Sequence, residues 1–202
     1  MRFFKDNSES IIKLFINQIG IAIFAMFLYT AAGAIKSETG GASLLITVLI
    51  SVFATLFYFV LIYNVAWEIG AKDKIRIDGG RMTSTPKKGI MMGLYANTPN
   101  VIFLLIALLF LVIRMISGAE WAWSVFGVLN AIFRLFISVY LGIIMGLSVS
   151  FEANLEVYYL VQTLGFIVFS FVSAAVIHLS YILGLKDFRL FGKAPVNKNQ
   201  SR

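Results

Sequence analysis

From Leu44 to Tyr63 the chain reads LLITVLISVFATLFYFVLIY, with no charge, no glycine and no proline. A helix rises 1.5 Å per residue, so about 20 such residues match the ~30 Å hydrocarbon core of a bilayer. Four further apolar runs cover 14–34, 101–116, 121–150 and 158–185, and the one just quoted extends over 44–65. Apolar residues are 59% of the 202 and charged residues 13%, against about 45–50% and about 25% in soluble domains. The pattern specifies an all-α polytopic integral membrane protein, a single membrane domain over 1–202 with five hydrophobic segments. β-Spans would alternate apolar and polar residues in segments of about ten. Val, Ile and Phe are frequent here, but lipid offers no partner to an open sheet edge, so the bilayer overrides their strand propensity.

Arg2 and Lys5 precede the first run, which ends in Ala32-Gly33-Ala34, a pattern resembling a signal cleavage site. A secretory signal has an apolar region of only about 7–15 residues. This run is longer and starts with Asn17 and Gln18, so it is expected to stay as a span.

Lys and Arg gather in three places: Arg2, Lys5 and Lys13 before the first run, Lys72 to Lys88 between the second and third, and Lys186 to Arg202 after the last. The positive-inside rule expects the N-terminus, the 66–98 loop and the basic 186–202 tail to be cytoplasmic, in the plasma membrane. Five single crossings would put the tail outside, so one run is expected not to be an ordinary crossing; the alternative is that 121–150 is a tilted single helix and the tail lies outside. The anomalous one is 121–150: as one straight helix it would be about 45 Å long, yet two full spans need about 40 residues. It is expected to be a re-entrant or broken helical hairpin that starts and ends outside. Glu120, Glu152 and Glu156 flank it.

Gly127, Asn130, Arg134, Ser138, Gly142 and Gly146 recur in that run at steps of three and four, one small and polar stripe on a continuous helix. Gly142 and Gly146 have the spacing that lets helices approach closely. Arg134 lies mid-run, where an unpaired charge costs about 2.5–3.5 kcal/mol on insertion scales. Asn130, Arg134, Ser138 and the single histidine, His178, form the candidate intramembrane polar site, with Glu152 or Glu156 available to neutralise Arg134. His178 shares a face with Ser170 and Ala174.

The chain has no Cys, one His and no G-x-S-x-G or Walker A pattern, so no catalytic residues, metal site or cofactor are expected. In the loop, Trp67 and Tyr63 read as interfacial anchors and Gly70 as a helix C-cap. Asp78-Gly79-Gly80 reads as the turn of a small strand hairpin, and Ser84-Thr85-Pro86 as the start of a short surface helix carrying Ile90, Met91, Leu94 and Tyr95. Lys72, Lys74, Arg76, Arg81, Lys87 and Lys88 outweigh Asp73 and Asp78 by four charges. They are candidate contacts for anionic lipid headgroups of the bilayer or for a protein partner, and a homo-oligomer is a further option. Nucleic acid is not expected, because the membrane surface would occupy the same charges. Gly89-Ile-Met-Met-Gly-Leu94 resembles Gly142-Ile-Ile-Met-Gly-Leu147, a match too short to define a repeat.

These readings favour a non-enzymatic transporter or the membrane subunit of a transport or export assembly. The alternative is a regulatory or assembly protein acting through the basic loop. An intramembrane enzyme is a distant third.

Overall fold

The computed structural model describes the backbone of residues 2–39, 43–83 and 85–190. It contains helices α1 (Arg2–Thr39), α2 (Ser43–Asp78), α3 (Lys88–Ser117), α4 (Glu120–Ile137), α5 (Leu141–Ser148) and α6 (Leu155–Leu185). Single 3₁₀ turns, Ser138–Tyr140 and Val149–Phe151, follow α4 and α5. No strand occurs among the described residues. Five helical segments are long and apolar enough to cross a membrane, the fourth being α4 and α5 together. This is an all-α polytopic membrane protein.

The helices outrun the apolar segments. α2 continues through Gly70 to Asp78, so Gly70 is not a C-cap and no strand hairpin forms at Asp78-Gly79-Gly80. Gly80 instead takes φ +69 just beyond the helix end. Gly70 is needed for packing: a Cβ there would overlap the carbonyl of Tyr181, and Gly184 lies alongside on α6. The expected surface helix is the opening of α3, which starts at Lys88 and runs on through Pro99; Ser84 lies outside the described residues. Bilayer and bundle hold the backbone helical past the local turn signals, since a polar residue at a helix end loses less than an unpaired backbone in lipid.

α2, α3 and α6 form the tightest part of the bundle. Gly89 and Gly93 of α3 seat the ring of Tyr181 and the backbone of Ala174. At one end of the molecule, Asp73 on α2 accepts from Lys88 of α3 at 2.8 Å and from the Tyr181 hydroxyl of α6 at 3.0 Å. Phe3 of α1 stacks on Tyr95 of α3 at 5.8 Å. The start of α1, the α2–α3 connection and the end of α6 therefore share one end, which carries all three basic clusters insofar as they are described. Lys193, Lys198 and Arg202 lie outside the described residues.

The fourth segment turns back at mid-bundle. Along α6, Trp123 and Phe126 meet Tyr159 at 5.6 and 5.4 Å, and Phe133 meets Phe166 at 5.5 Å. α4 thus runs parallel to α6. Tyr140 stacks on Phe169 at 4.8 Å, and there the order turns around. Ile144 lies against Gly165, and Ser148 accepts from Gln162 at 3.2 Å. α5 is antiparallel to α6, the returning limb of a re-entrant hairpin. The Arg114 guanidinium holds both mouths together, reaching Glu120 at 2.6 Å and Glu156 at 3.1 Å. The segment begins and ends at the end opposite the basic clusters.

The hairpin tip lies at mid-bundle, where unpaired backbone groups would be costly. Side chains of α1 and α2 satisfy them. Ser51 and Thr55 donate to the Val139 carbonyl at 2.8 and 3.2 Å. Tyr29 donates to the Ser138 carbonyl at 3.2 Å and accepts from the Gly142 amide at 3.3 Å. Ser138 itself donates to the Ala22 carbonyl at 2.7 Å. These polar side chains, scattered through apolar runs in the sequence, are the seat of the turn.

Candidate functional site

α4 packs its backbone on α3 and α1 and α5 packs on α2, while α4 faces α6 mainly across side chains. The limbs are splayed, and Arg134 occupies the space between α4 and α6. Its Nε donates to Asn130 Oδ1, one turn back, at 2.9 Å, and its Nη2 to Gln162 Oε1 at 2.6 Å. Gln162 passes the chain on to Ser148 of α5, so one guanidinium ties α4, α5 and α6 into a single network. The ring of Tyr159 lies 5.8 Å from the Arg134 Cζ, within cation–π range.

No carboxylate joins this network. The expectation that Glu152 or Glu156 neutralises Arg134 is corrected: Glu156 is bound to Arg114, and Glu152 is exposed. The reason is length. α5 returns by only two turns, and the strand of chain after it carries both acidic residues past Arg134 to the mouth.

Above Arg134, at the hairpin mouth, a cleft of about 530 Å³ is lined by Arg114, Glu120, Trp123, Asn154, Leu155 and Glu156. Trp123 of the cleft meets Tyr159 edge to face, and the same Tyr159 ring lies against Arg134. The Trp123 and Tyr159 rings thus stand between this cleft and the part-buried guanidinium.

The other expected polar residues separate. Asn130 is in the network, but Ser138 is at the tip, bonded to α1. His178 stands on α6 toward the basic end, three turns beyond Phe166, with its Nδ1 buried and unbonded among the described residues. The stripe from Gly127 to Gly146 does not survive the break at Ser138. A Cβ on Gly127 would meet nothing, whereas one on Gly142 would overlap the Thr47 carbonyl, and one on Gly146 would come to 3.0 Å from Val48. Gly142 and Gly146 are packing residues, as their spacing suggested.

The six basic loop residues also divide. Lys88 is buried against Asp73, and Lys72 pairs with Glu68 at 2.6 Å on the surface of α2. Arg76 is 3.8 Å from Asp73 and largely exposed; Arg81 and Lys87 are exposed and Lys74 partly so. Beside them a cleft of about 380 Å³ between α1 and α2 is lined by Lys5, Lys13, Lys72 and Arg76 but also by Asp6, Glu9 and Glu68. Its charge is mixed, and sequence proximity alone could not show that α1 supplies acids to it. Trp67 and Tyr63 are not lipid anchors: the Trp67 indole donates to the Phe188 carbonyl at 2.8 Å, and the Tyr63 hydroxyl accepts from the Leu190 amide at 2.8 Å. They bind the chain leaving α6, with Arg189 stacked 4.1 Å from the Trp67 ring.

Gln162, the acceptor that completes the Arg134 network, was legible only as a polar residue in an apolar run. Comparison of the chain with protein-family models, with curated proteins and with solved structures finds no match.

Proposed function

We propose that this membrane protein is a non-enzymatic component of solute transport, either a small transporter or the membrane subunit of a transport assembly, with the re-entrant hairpin as its working element. One observation carries the reading: a part-buried guanidinium with no carboxylate partner among the described residues is held between the hairpin and α6, with the Trp123 and Tyr159 rings between it and the cleft at the mouth. An intramembrane charge is retained at a cost, and broken helices at membrane depth serve transporters as binding elements. The basic end faces the cytoplasm in this reading, following the positive-inside rule. The test is reconstitution into proteoliposomes with a panel of ionic and neutral solutes, alongside recovery of co-purifying subunits from the native membrane in mild detergent. Solute flux that drops at least about tenfold in Arg134→Gln, or a transport subunit that co-purifies, supports the reading. Absence of both removes it.

A second reading keeps the basic end as a regulatory or assembly surface. It is supported by the basic side chains left exposed there, Lys74, Arg76, Arg81 and Lys87, once Lys72 and Lys88 are paired. Its partner is anionic lipid or a protein.

A further inference from the structure

Resting on the transport reading, we propose that the ligand taken up at Arg134 is a small monovalent anion. The hydrogen-bonding inventory of the site decides the sign. Arg134 spends Nε and Nη2 on the neutral oxygens of Asn130 and Gln162, and its Nη1 has no partner among the described residues. Of the acidic residues at the mouth, Glu120 and Glu156 are committed to Arg114, and Glu152 is exposed and makes no contact with Arg134. A cation would need oxygens that are still unclaimed, and the site holds the reverse: an unmatched positive charge and an unclaimed donor.

The same bias continues past the tip. Ser138 bonds to Ala22, and Phe136 stacks on Phe103 at 6.5 Å, so these residues mark the tip level on α1 and α3. One turn further toward the basic end, Gln18 and Asn100 are 2% and 4% exposed, and the amide nitrogens of both lack an acceptor among the described residues. Buried amide donors are rarely left unmatched. Asp73, the buried acidic group among the described residues at this end, is already engaged by Lys88 and Tyr181. Arg134 and then Gln18 and Asn100 present unmatched N–H donors in succession from the hairpin toward the basic end.

Charge and size follow from the surroundings. One guanidinium balances one negative charge, and a multivalent anion would carry surplus charge into a low-dielectric interior. The rings of Phe126, Phe133, Tyr159 and Phe166 pack between α4 and α6, which disfavours a large organic acid.

The test uses the full chain in detergent, unfolded by heat in sodium chloride, sodium nitrate or sodium gluconate at constant ionic strength, and again with sodium replaced by potassium. The expected result is a midpoint that rises with chloride or nitrate by about 3–5 °C per tenfold concentration above saturation, independent of the cation. Gluconate should not reproduce it. Arg134→Gln should abolish the anion dependence, and Arg134→Lys, which keeps the charge, should retain it at higher anion concentration. Equal midpoints in chloride and gluconate, or an anion dependence that survives in Arg134→Gln, overturn the proposal. Proteoliposomes then separate it from the reading it rests on. Anion-specific stabilisation without flux leaves the anion site and removes transport, whereas flux of another solute, indifferent to chloride, leaves transport and removes the anion.

Discussion

Arg134 and Lys88 are both basic residues in a membrane bundle, yet they are stabilised differently. Lys88 has a buried carboxylate partner, so Lys88→Met should leave Asp73 with the Tyr181 hydroxyl and the more distant, exposed Arg76 and cost about 3–5 kcal/mol. Adding Asp73→Asn should restore most of that loss, as thermal unfolding of the two variants in detergent will show. Arg134 has only neutral partners, and its removal strands two acceptors instead of a charge. Arg134→Leu should therefore cost less, about 1–3 kcal/mol, and loosen α5 through Gln162 and Ser148. A destabilisation by Arg134→Leu that equals or exceeds that of Lys88→Met would show that the guanidinium serves chiefly as a structural pin.

At the scale of elements, the hairpin depends on side chains that its own sequence does not contain. Ser51→Ala with Thr55→Val removes both donors from the Val139 carbonyl, and the midpoint should fall more than for either single change. The glycines give a sharper contrast. Gly142→Val places atoms inside the Thr47 carbonyl and should prevent α5 from seating on α2, read as loss of monodisperse protein after extraction. Gly127→Ala meets nothing and should stabilise α4 by about 0.5–1 kcal/mol through its backbone alone. A continuous helix would have made the two glycines equivalent. The break at Ser138 makes them opposites.

The whole molecule is four long helices that run from end to end and one hairpin that returns to the end where it starts, an arrangement that predicts an even number of crossings. Because the chain has no Cys, single cysteines can report this directly. Cysteines at Ser117 and Asn154 should react with a membrane-impermeant maleimide from the same face, and one at Gly80 or Asp187 only from the other. Labelling of Ser117 and Asn154 from opposite faces would mean that 120–151 crosses.

Much of this was readable from the residues alone. The unbroken apolar run at 44–63 demands a bilayer and a helix, because transfer of apolar surface and pairing of backbone groups depend on composition and hardly on neighbours. The expectation that 121–150 turns back came similarly, from three basic clusters and a run of intermediate length. Partners could not be read this way. Ion pairs and hydrogen bonds act over a few ångströms, so whether Arg134 meets Glu156 or Gln162 depends on how many turns α5 returns, and whether Lys88 faces lipid or Asp73 depends on how far α2 continues. Tyr63 and Trp67 have the composition of interfacial anchors, but the path of the chain after Leu185 makes them its docking site. Residue type determined the solvent and the secondary structure of this protein, because those energies are summed over many residues. The sites were decided by the tertiary structure, because each rests on two or three atoms brought within bonding distance.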